Sequence, residues 1–435
     1  MPESCSKTNK AVFFMARYIQ RDTYLQKLID SRLNGFAKVV TGPRRCGKSW
    51  LLTRIYKDYL IADGVPEDDI IVVSFDLDDE NNQSQLVDKE KLKTYLYSRI
   101  TDPGHTYYVM LDEIQEVEGF EKIVNGLRNK DNVDVYVTGS NARFLSREIS
   151  TIFRDRGQEI RCNPLSFKEF CTGRTESLRT LYGEYYTYGG MPGLLMLKTP
   201  IQKAQYLQDL WNKTYLTDIK DRYHIVNDIA LEELTDVLCS SVGSLSNPTK
   251  ITHSIKSIKK LRLDEETVKN YLDHICDSFL FEGARRYDIK GKDYYKSFRK
   301  FYCVDPGLRN ARLNFRQQEE GHIMENIIYN ELRNRGYLVD VGMIESREMR
   351  DGKSEYRQYE VDFIVTNGMD KYYIQSAFNM STDEKREQEL KSLKKIGDSF
   401  RKIVIQGDDI VAYTNEDGFT IMGLYQFLLN DDILK

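Results

Sequence analysis

Histidine is scarce: five residues in 435, none paired at ligand spacing, so a histidine-based metal centre is not expected. The seven cysteines (Cys5, Cys46, Cys162, Cys171, Cys239, Cys276, Cys303) form no C-x-x-C pair. Their scatter suits free thiols in a reducing compartment better than a disulfide framework or a zinc site. No uncharged apolar run approaches the roughly 20 residues of a membrane span, so no membrane partner is expected. The first residues, MPESCSKTNK, lack the apolar core of an export signal, and a cytoplasmic location is expected. A net charge of −4 excludes wholesale coating of nucleic acid and leaves only local basic surfaces. What is present, 40% hydrophobic and 30% charged residues, describes a globular chain, and its length exceeds one hydrophobic core. Two to four domains are expected.

The first third alternates strand and helix patterns. FAKVVTG (36–42), IIVVSFD (70–76), YYVMLDE (107–113) and VDVYVTGS (133–140) read as buried strands. SWLLTRIYKDYL (49–60) and the segment 118–130 read as helices. This order predicts an α/β fold, a mainly parallel sheet with helices on both faces. DLDDENNQSQLVDKEK (76–91) interrupts it as an exposed polar loop.

GPRRCGKS (42–49) fits G-x-x-x-x-G-K-[ST] between a strand and a helix, the setting a phosphate-binding loop requires. Gly42 and Gly47 let backbone N–H groups curl around phosphate oxygens, and the helix N-terminus adds positive potential. Lys48 reaches the terminal phosphates of ATP, and the Ser49 hydroxyl can hold Mg²⁺. Pro43, Cys46 and Trp50 complete the lining. Arg44 and Arg45 face solvent or another part of the chain. Asp112, at the carboxyl end of YYVMLDE, is placed to hold the Mg²⁺ shell, and Glu113 to polarise an attacking water. Ser140 and Asn141 end the next strand, in reach of a γ-phosphate. Arg154 and Arg156 are candidates for an arginine finger delivered by a neighbouring subunit, which implies a homo-oligomer.

Residues 164–245 are helical by periodicity, with a turn at YGGMPG (188–193). From 246, THSIKSIKKL and DEETVKNYLDHICDSFL form two helices, the second capped by Asp264, and two strand-like runs follow around Gly291. That is the outline of a winged helix. Between residues 250 and 300 lysine and arginine outnumber aspartate and glutamate by 13 to 8. Lys256, Lys259, Lys260 and Arg262 cluster on and after one helix, and Arg285, Arg286, Lys290 and Lys292 on the expected wing, where basic residues contact phosphates.

VVTGPRRCGKSWLL, YYVMLDEIQEV, VTGSNARFLS, PLSFKEF, YGGMPG and KFYCVDPGLRNA occur in the order seen in a large family of prokaryotic AAA-type ATPases. The chain resembles that family from about residue 17 to about residue 430. The resemblance implies an ATP-hydrolysing core with an extra glutamate beside the Walker aspartate, which Glu113 matches. It also implies a helical segment, a winged-helix-like module and a C-terminal fold similar to restriction endonucleases.

A restriction-endonuclease-like site needs oxygen ligands for Mg²⁺ and a lysine. Glu325 on a helix, Glu360 and Asp362 in YEVDF, and Gln375 in YIQSAF are the remnant of such a set. Glu331 is as able as Glu325 to point into a site. Glu360 and Asp362 share one strand face, with Val361 and Phe363 on the other. The lysine position is Ala377, and Gln375 is a neutral amide, so the set is broken twice unless a lysine such as Lys371 or Lys385 compensates.

The expected domains are 1–163 (P-loop AAA-type core), 164–245 (helical), 246–310 (winged-helix-like) and 311–435 (degenerate nuclease-like). The expected function is a Mg²⁺-dependent ATPase whose nucleotide state switches a DNA- or protein-binding C-terminal half. An ATP-gated nuclease and a non-hydrolysing nucleotide-binding scaffold are the alternatives.

Overall fold

The computed structural model describes residues 19–75, 86–139, 153, 156–259, 263–317, 319–350 and 353–434. They fall into two units, residues 1–164 with 172–174, and residues 165–171 with 175–435.

The first unit is built on five strands: β1 (Ala37–Thr41), β2 (Ile70–Ser74), β3 (Tyr107–Asp112), β4 (Val133–Thr138) and β5 (Gly157–Arg161). Their order is β2-β3-β4-β1-β5, and every neighbouring pair is parallel. β1, β3 and β4 are buried at every residue, which is why they read as apolar runs rather than alternating patterns. One face packs against helix α1 (Asp22–Asp30) and the helical run α2 (48–62) through Leu28, Leu51, Leu52 and Ile55. The other packs against α3 (Lys89–Arg99) and α4 (Phe120–Arg128) through Leu92, Leu96, Ile123 and Leu127. Burying each such side chain contributes roughly 1.5–3 kcal/mol. The loop expected to run to residue 91 gives way earlier, because the Asp88 carboxylate caps α3 by accepting the N–H groups of Glu90 and Lys91. Residues 76–85 of that loop lie outside the described residues.

Parallel strands bring all their carboxyl ends to one edge of the sheet. Gly42 after β1, Asp112 ending β3 and Thr138 ending β4 therefore converge without any long-range coincidence.

The second unit opens with helices, among them α5 (Leu178–Tyr188). The PLSFKEF, YGGMPG and YCVDPGLRN stretches meet here in one packing knot. Gly190 N–H donates to Asp305 (2.7 Å), whose other oxygen caps α6 (Pro306–Arg312) at Leu308 N–H (3.0 Å). Asn310 Nδ2 donates to the carbonyls of Tyr186 and Thr187, and Leu165 N–H to that of Gly190. A Cβ on Gly307 would stand 1.8 Å from the Tyr188 carbonyl oxygen, and one on Gly190 2.2 Å from that of Leu165. Glycine is required at both positions for close approach.

Between the two halves of that knot in sequence come the helices Asp228–Ser240, Pro248–Lys259 and Glu265–Asp277, the last capped by Asp264 as expected. Strand β6 (Leu245–Ser246) separates the first two, and the hairpin β7 (Phe281–Asp288) and β8 (Asp293–Cys303) follows the third. After α6, helix α7 (Glu320–Asn334) leads into β9 (Leu338–Arg350), β10 (Lys353–Asn367) and β11 (Asp370–Ala377). Helix α8 (Asp383–Lys394), β12 (Arg401–Gln406), β13 (Tyr413–Thr414), β14 (Thr420–Gly423) and α9 (Leu424–Leu429) complete it. All nine strands form one mixed sheet, ordered β13-β14-β12-β11-β10-β9-β7-β8-β6. α7 covers one face through Ile323, Ile327 and Leu332, and α8 the other through Leu390 and Leu393.

Candidate nucleotide site

The loop between β1 and α2 has the backbone its glycines were expected to give. Gly42 (φ 135°) and Gly47 (φ 100°) both lie at positive φ. A Cβ at Gly42 would stand 1.9 Å from the Cys162 carbonyl oxygen, so no other residue fits there. Arg45 also takes positive φ (61°) and is exposed, while Arg44 is half-buried and Pro43 buried. Cys46 is buried and donates to the Cys162 carbonyl (3.2 Å), and Trp50 is exposed. Arg21 fastens the loop by donating to the carbonyls of Cys46 (3.1 Å) and Asn163 (2.7 Å). Lys48 is buried inside the loop, donating to the carbonyls of Gly42 (3.2 Å) and Pro43 (3.1 Å), with Glu113 Oε1 4.0 Å away.

Asp112 is buried and hydrogen-bonded by Ser49, by Ser74 Oγ (3.2 Å) and by Thr138 Oγ1 (2.5 Å). Burial pushes its carboxyl above the usual range and the adjacent Glu113 charge adds to this, while the three hydroxyls pull it back. Ser49 and Asp112 thus already share a hydrogen bond beside the lysine, an oxygen pair of the kind a Mg²⁺–phosphate group requires. These residues fit ATP and Mg²⁺.

Glu113 follows in a left-handed conformation (φ 54°, ψ 45°), a strained backbone for a non-glycine residue of the kind that clusters at functional sites. Its N–H donates to Thr138 Oγ1 (2.9 Å), and Gln115 Nε2 donates to its Oε2 (2.5 Å). Thr138 therefore touches both acids. Sequence reading passed over it in favour of Ser140 and Asn141, although it is the last strand residue of VYVT and faces the carboxyl end of β3.

Ser140, Asn141 and Arg154 lie outside the described residues. Arg156 is exposed just before β5, and its carbonyl accepts from Ala37 N–H at the start of β1. The length of β1, about 16 Å at strand rise, separates it from the phosphate loop of its own chain. It is not part of the site that its own chain builds.

In the second unit the four residues expected to form a nuclease-like set do come together, around a lysine that sequence reading missed. Lys300 Nζ lies 2.8 Å from Glu325 Oε1, 2.7 Å from Glu360 Oε1 and 3.3 Å from Asp362 Oδ1. Tyr302 OH donates to Glu325 (2.6 Å), and Ser376 N–H to Asp362 Oδ2 (2.9 Å). Gln375 Oε1 accepts from Asp362 N–H (3.4 Å), and Gln375 is also bonded to Glu389 on α8. Glu331 is not part of the cluster and pairs with Arg335 instead (2.7 Å). Lys371 lies 4.0 Å from Asp398, and Lys385 is exposed at the start of α8, so neither is the compensating lysine. The expected alternation on β10 also fails. A bulge between Val361 and Ile364 sends Val361 and Phe363 into cores on opposite faces.

Of the cations expected on a wing, Arg286 is buried and donates to Gln358 (2.9 Å). Arg285, over the Tyr294 ring, and Lys290, which donates to the Glu345 carbonyl (3.2 Å), are exposed. Lys256 and Lys292 are exposed, while Lys260 and Arg262 lie outside the described residues. The exposed residues of helix Glu265–Asp277 are Glu265, Glu266, Lys269, Asn270 and Asp273.

Residues 34–171 match the family model described as an AAA domain. Residues 179–319 match one described only as a domain of unknown function. The chain is 35% identical over 417 residues to an uncharacterized protein of Haemophilus influenzae, covering 94% of this chain and 98% of that one. This chain belongs to that protein's family. An uncharacterized protein of Methanocaldococcus jannaschii is 27% identical, covering 93% of this chain and 87% of its own length. Among solved structures, looser overlaps include the Aeropyrum pernix ORC1 protein in complex with DNA, at 12% identity and a TM-score of 0.33, covering 68% of this chain and 93% of that one. AMPPCP-bound DnaA from Aquifex aeolicus overlaps at 16% identity and a TM-score of 0.30, covering 58% and 86%. The first unit of this family member is an AAA-type P-loop nucleotide-binding domain. Among the described residues no helix is long and apolar enough to cross a membrane.

Proposed function

We propose that this family member is a Mg²⁺-dependent ATP hydrolase whose nucleotide state switches the partner-binding state of the second unit. The observation that carries the reading is the convergence of Lys48, Ser49, Asp112, Glu113 and Thr138 at one edge of the parallel sheet. In the proposed reaction the loop N–H groups and Lys48 bind the β- and γ-phosphates, trading the lysine's two carbonyl partners for phosphate oxygens. Bound Mg²⁺ neutralises charge that develops on the phosphates. Ser49 and Asp112 hold it, and Glu113 orients the attacking water. Thr138 fixes the two acids relative to each other. A Glu113→Gln variant should bind ATP like its parent and turn it over roughly 10²–10⁴-fold more slowly. Equal turnover in the two would leave the non-hydrolysing scaffold as the better reading.

The order helix, short strand, two helices and hairpin over 228–303 supports the winged-helix assignment. The α7, β9-β10-β11, α8, β12 succession, with β11 and β12 parallel, supports the restriction-endonuclease-like one. For the partner of the second unit we favour a protein over DNA. The third helix of the winged-helix-like module exposes three acids against one lysine, a charge pattern that phosphates repel. A DNA fragment that binds the purified chain with a steep salt dependence would overturn that choice.

A further inference from the structure

The nuclease-like fold proposed for the second unit implies a divalent cation among Glu325, Glu360, Asp362 and the residue at 375. The residues present do not fit one. We infer that Lys300 is a built-in substitute for that cation: its ammonium fills the seat, closes the site to metal, and clasps β8 to α7 and β10.

Three observations carry this. The ammonium has three N–H donors, and three carboxylates stand around it at 2.7–3.3 Å, so its donor capacity is matched by the acids that would otherwise ligate metal. Mg²⁺ would demand oxygen at about 2.0–2.1 Å and several waters of its own. Only the Glu360 side, where the side chain is 32% exposed, leaves those waters room. Lys300 is 2% exposed, and the backbone of Gly243 roofs Glu325 so closely that a Cβ there would stand 3.2 Å from its Oε2. The remaining ligand position is the Gln375 amide, already bonded to Asp362 N–H and to Glu389.

The same geometry explains why a buried lysine is tolerated on β8. An isolated buried ammonium is strongly disfavoured, and it persists only when opposite charges and hydrogen bonds enclose it. Glu325 comes from α7 and Glu360 with Asp362 from β10, so the charge that elsewhere would recruit a metal here joins the hairpin to the elements after it. Lys300 is 25 residues from Glu325 and 62 from Asp362 in sequence.

The test uses the full chain without nucleotide, in an Asp112→Asn background that removes the acid of the nucleotide site. Mn²⁺ binding is counted by electron paramagnetic resonance, and plasmid nicking is assayed in parallel with Mg²⁺ and Mn²⁺. With Lys300 intact, neither bound Mn²⁺ sensitive to Asp362→Asn nor nicking is expected. Lys300→Met should gain about one bound Mn²⁺ per chain, lost again on adding Asp362→Asn, and its lowered melting temperature should recover with Mn²⁺. Asp362-dependent Mn²⁺ binding in the chain with Lys300 intact overturns the inference. So does nicking abolished by Lys300→Met, which would make Lys300 a relocated catalytic lysine. A folded Lys300→Met chain that takes no Mn²⁺ also overturns it. Should that variant fail to fold, the two measurements on the Lys300 chain still decide. None of these outcomes bears on ATP turnover, so the ATPase reading stands or falls separately.

Discussion

Thr138→Val removes a hydroxyl while keeping the branched shape, and the structure gives the size of the loss. Oγ1 accepts the Glu113 N–H at 2.9 Å and donates to Asp112, and Thr138 is fully buried. An N–H left without a partner costs about 1–3 kcal/mol, and a hydrogen bond to a charged group contributes about 1.5–3 kcal/mol. Ser49 and Ser74 still serve Asp112, so the second loss is partial. A destabilisation of about 2–4 kcal/mol follows, which for a domain of roughly 150 residues lowers its melting temperature by about 5–12 °C. Activity should suffer more than affinity. The left-handed backbone of Glu113 costs about 1–2 kcal/mol to maintain, and the bond to Thr138 offsets it. Once freed, the carboxylate relaxes away from the water position. A displacement of about 1 Å there slows turnover roughly 10²-fold while ATP affinity changes little. Steady-state ATPase rates, a binding isotherm and a melting curve on Thr138→Val and Thr138→Ser measure all of this. The serine keeps the hydroxyl and should retain most of the rate. Wild-type turnover and melting in the valine variant would refute the reasoning.

Gly307→Ala should be among the most damaging single changes in the second unit, since its methyl would overlap the Tyr188 carbonyl at 1.8 Å. A loss of about 3 kcal/mol or more is expected, seen as poor soluble yield or early unfolding of that unit. Asp305→Asn tests electrostatics in the same knot. Burial pushes the Asp305 carboxyl up to about 6, against the N–H groups of Gly190, Leu308 and Gly307 that pull it down. Its unfolded value is about 3.9, so between roughly pH 4 and 6 the folded state binds the extra proton, and this contribution to stability falls as pH rises. The melting-temperature advantage of the parent over Asp305→Asn should therefore shrink from pH 4 to pH 7. A constant or widening gap would contradict it.

The nucleotide site was legible because its parts are local. A phosphate loop is eight consecutive residues, and an acid at the end of a buried run announces the neighbouring strand. Thr138 escaped because a strand-end threonine is unremarkable until β3 and β4 are seen side by side. In the second cluster Glu325, Glu360, Asp362 and Gln375 were legible, but Lys300 was not. That lysine comes from a hairpin that precedes the acids, and no local pattern ties it to them. The bulge in β10 likewise defeats an argument from strict alternation, since one extra residue reverses every side chain after it. The PLSFKEF and YCVDPGLRN stretches are what make the resemblance specific rather than generic to phosphate loops. They sit in a packing knot of the second unit rather than at the nucleotide site.

Calorimetric titration of ATP with Mg²⁺ into the wild-type chain and into Lys48→Ala tests the central claim most directly. Saturable binding by the parent, weakened at least roughly 100-fold in the variant, is what the buried lysine of the phosphate loop requires. Equal affinity in both chains, or no affinity in the parent at any Mg²⁺ concentration, would contradict it.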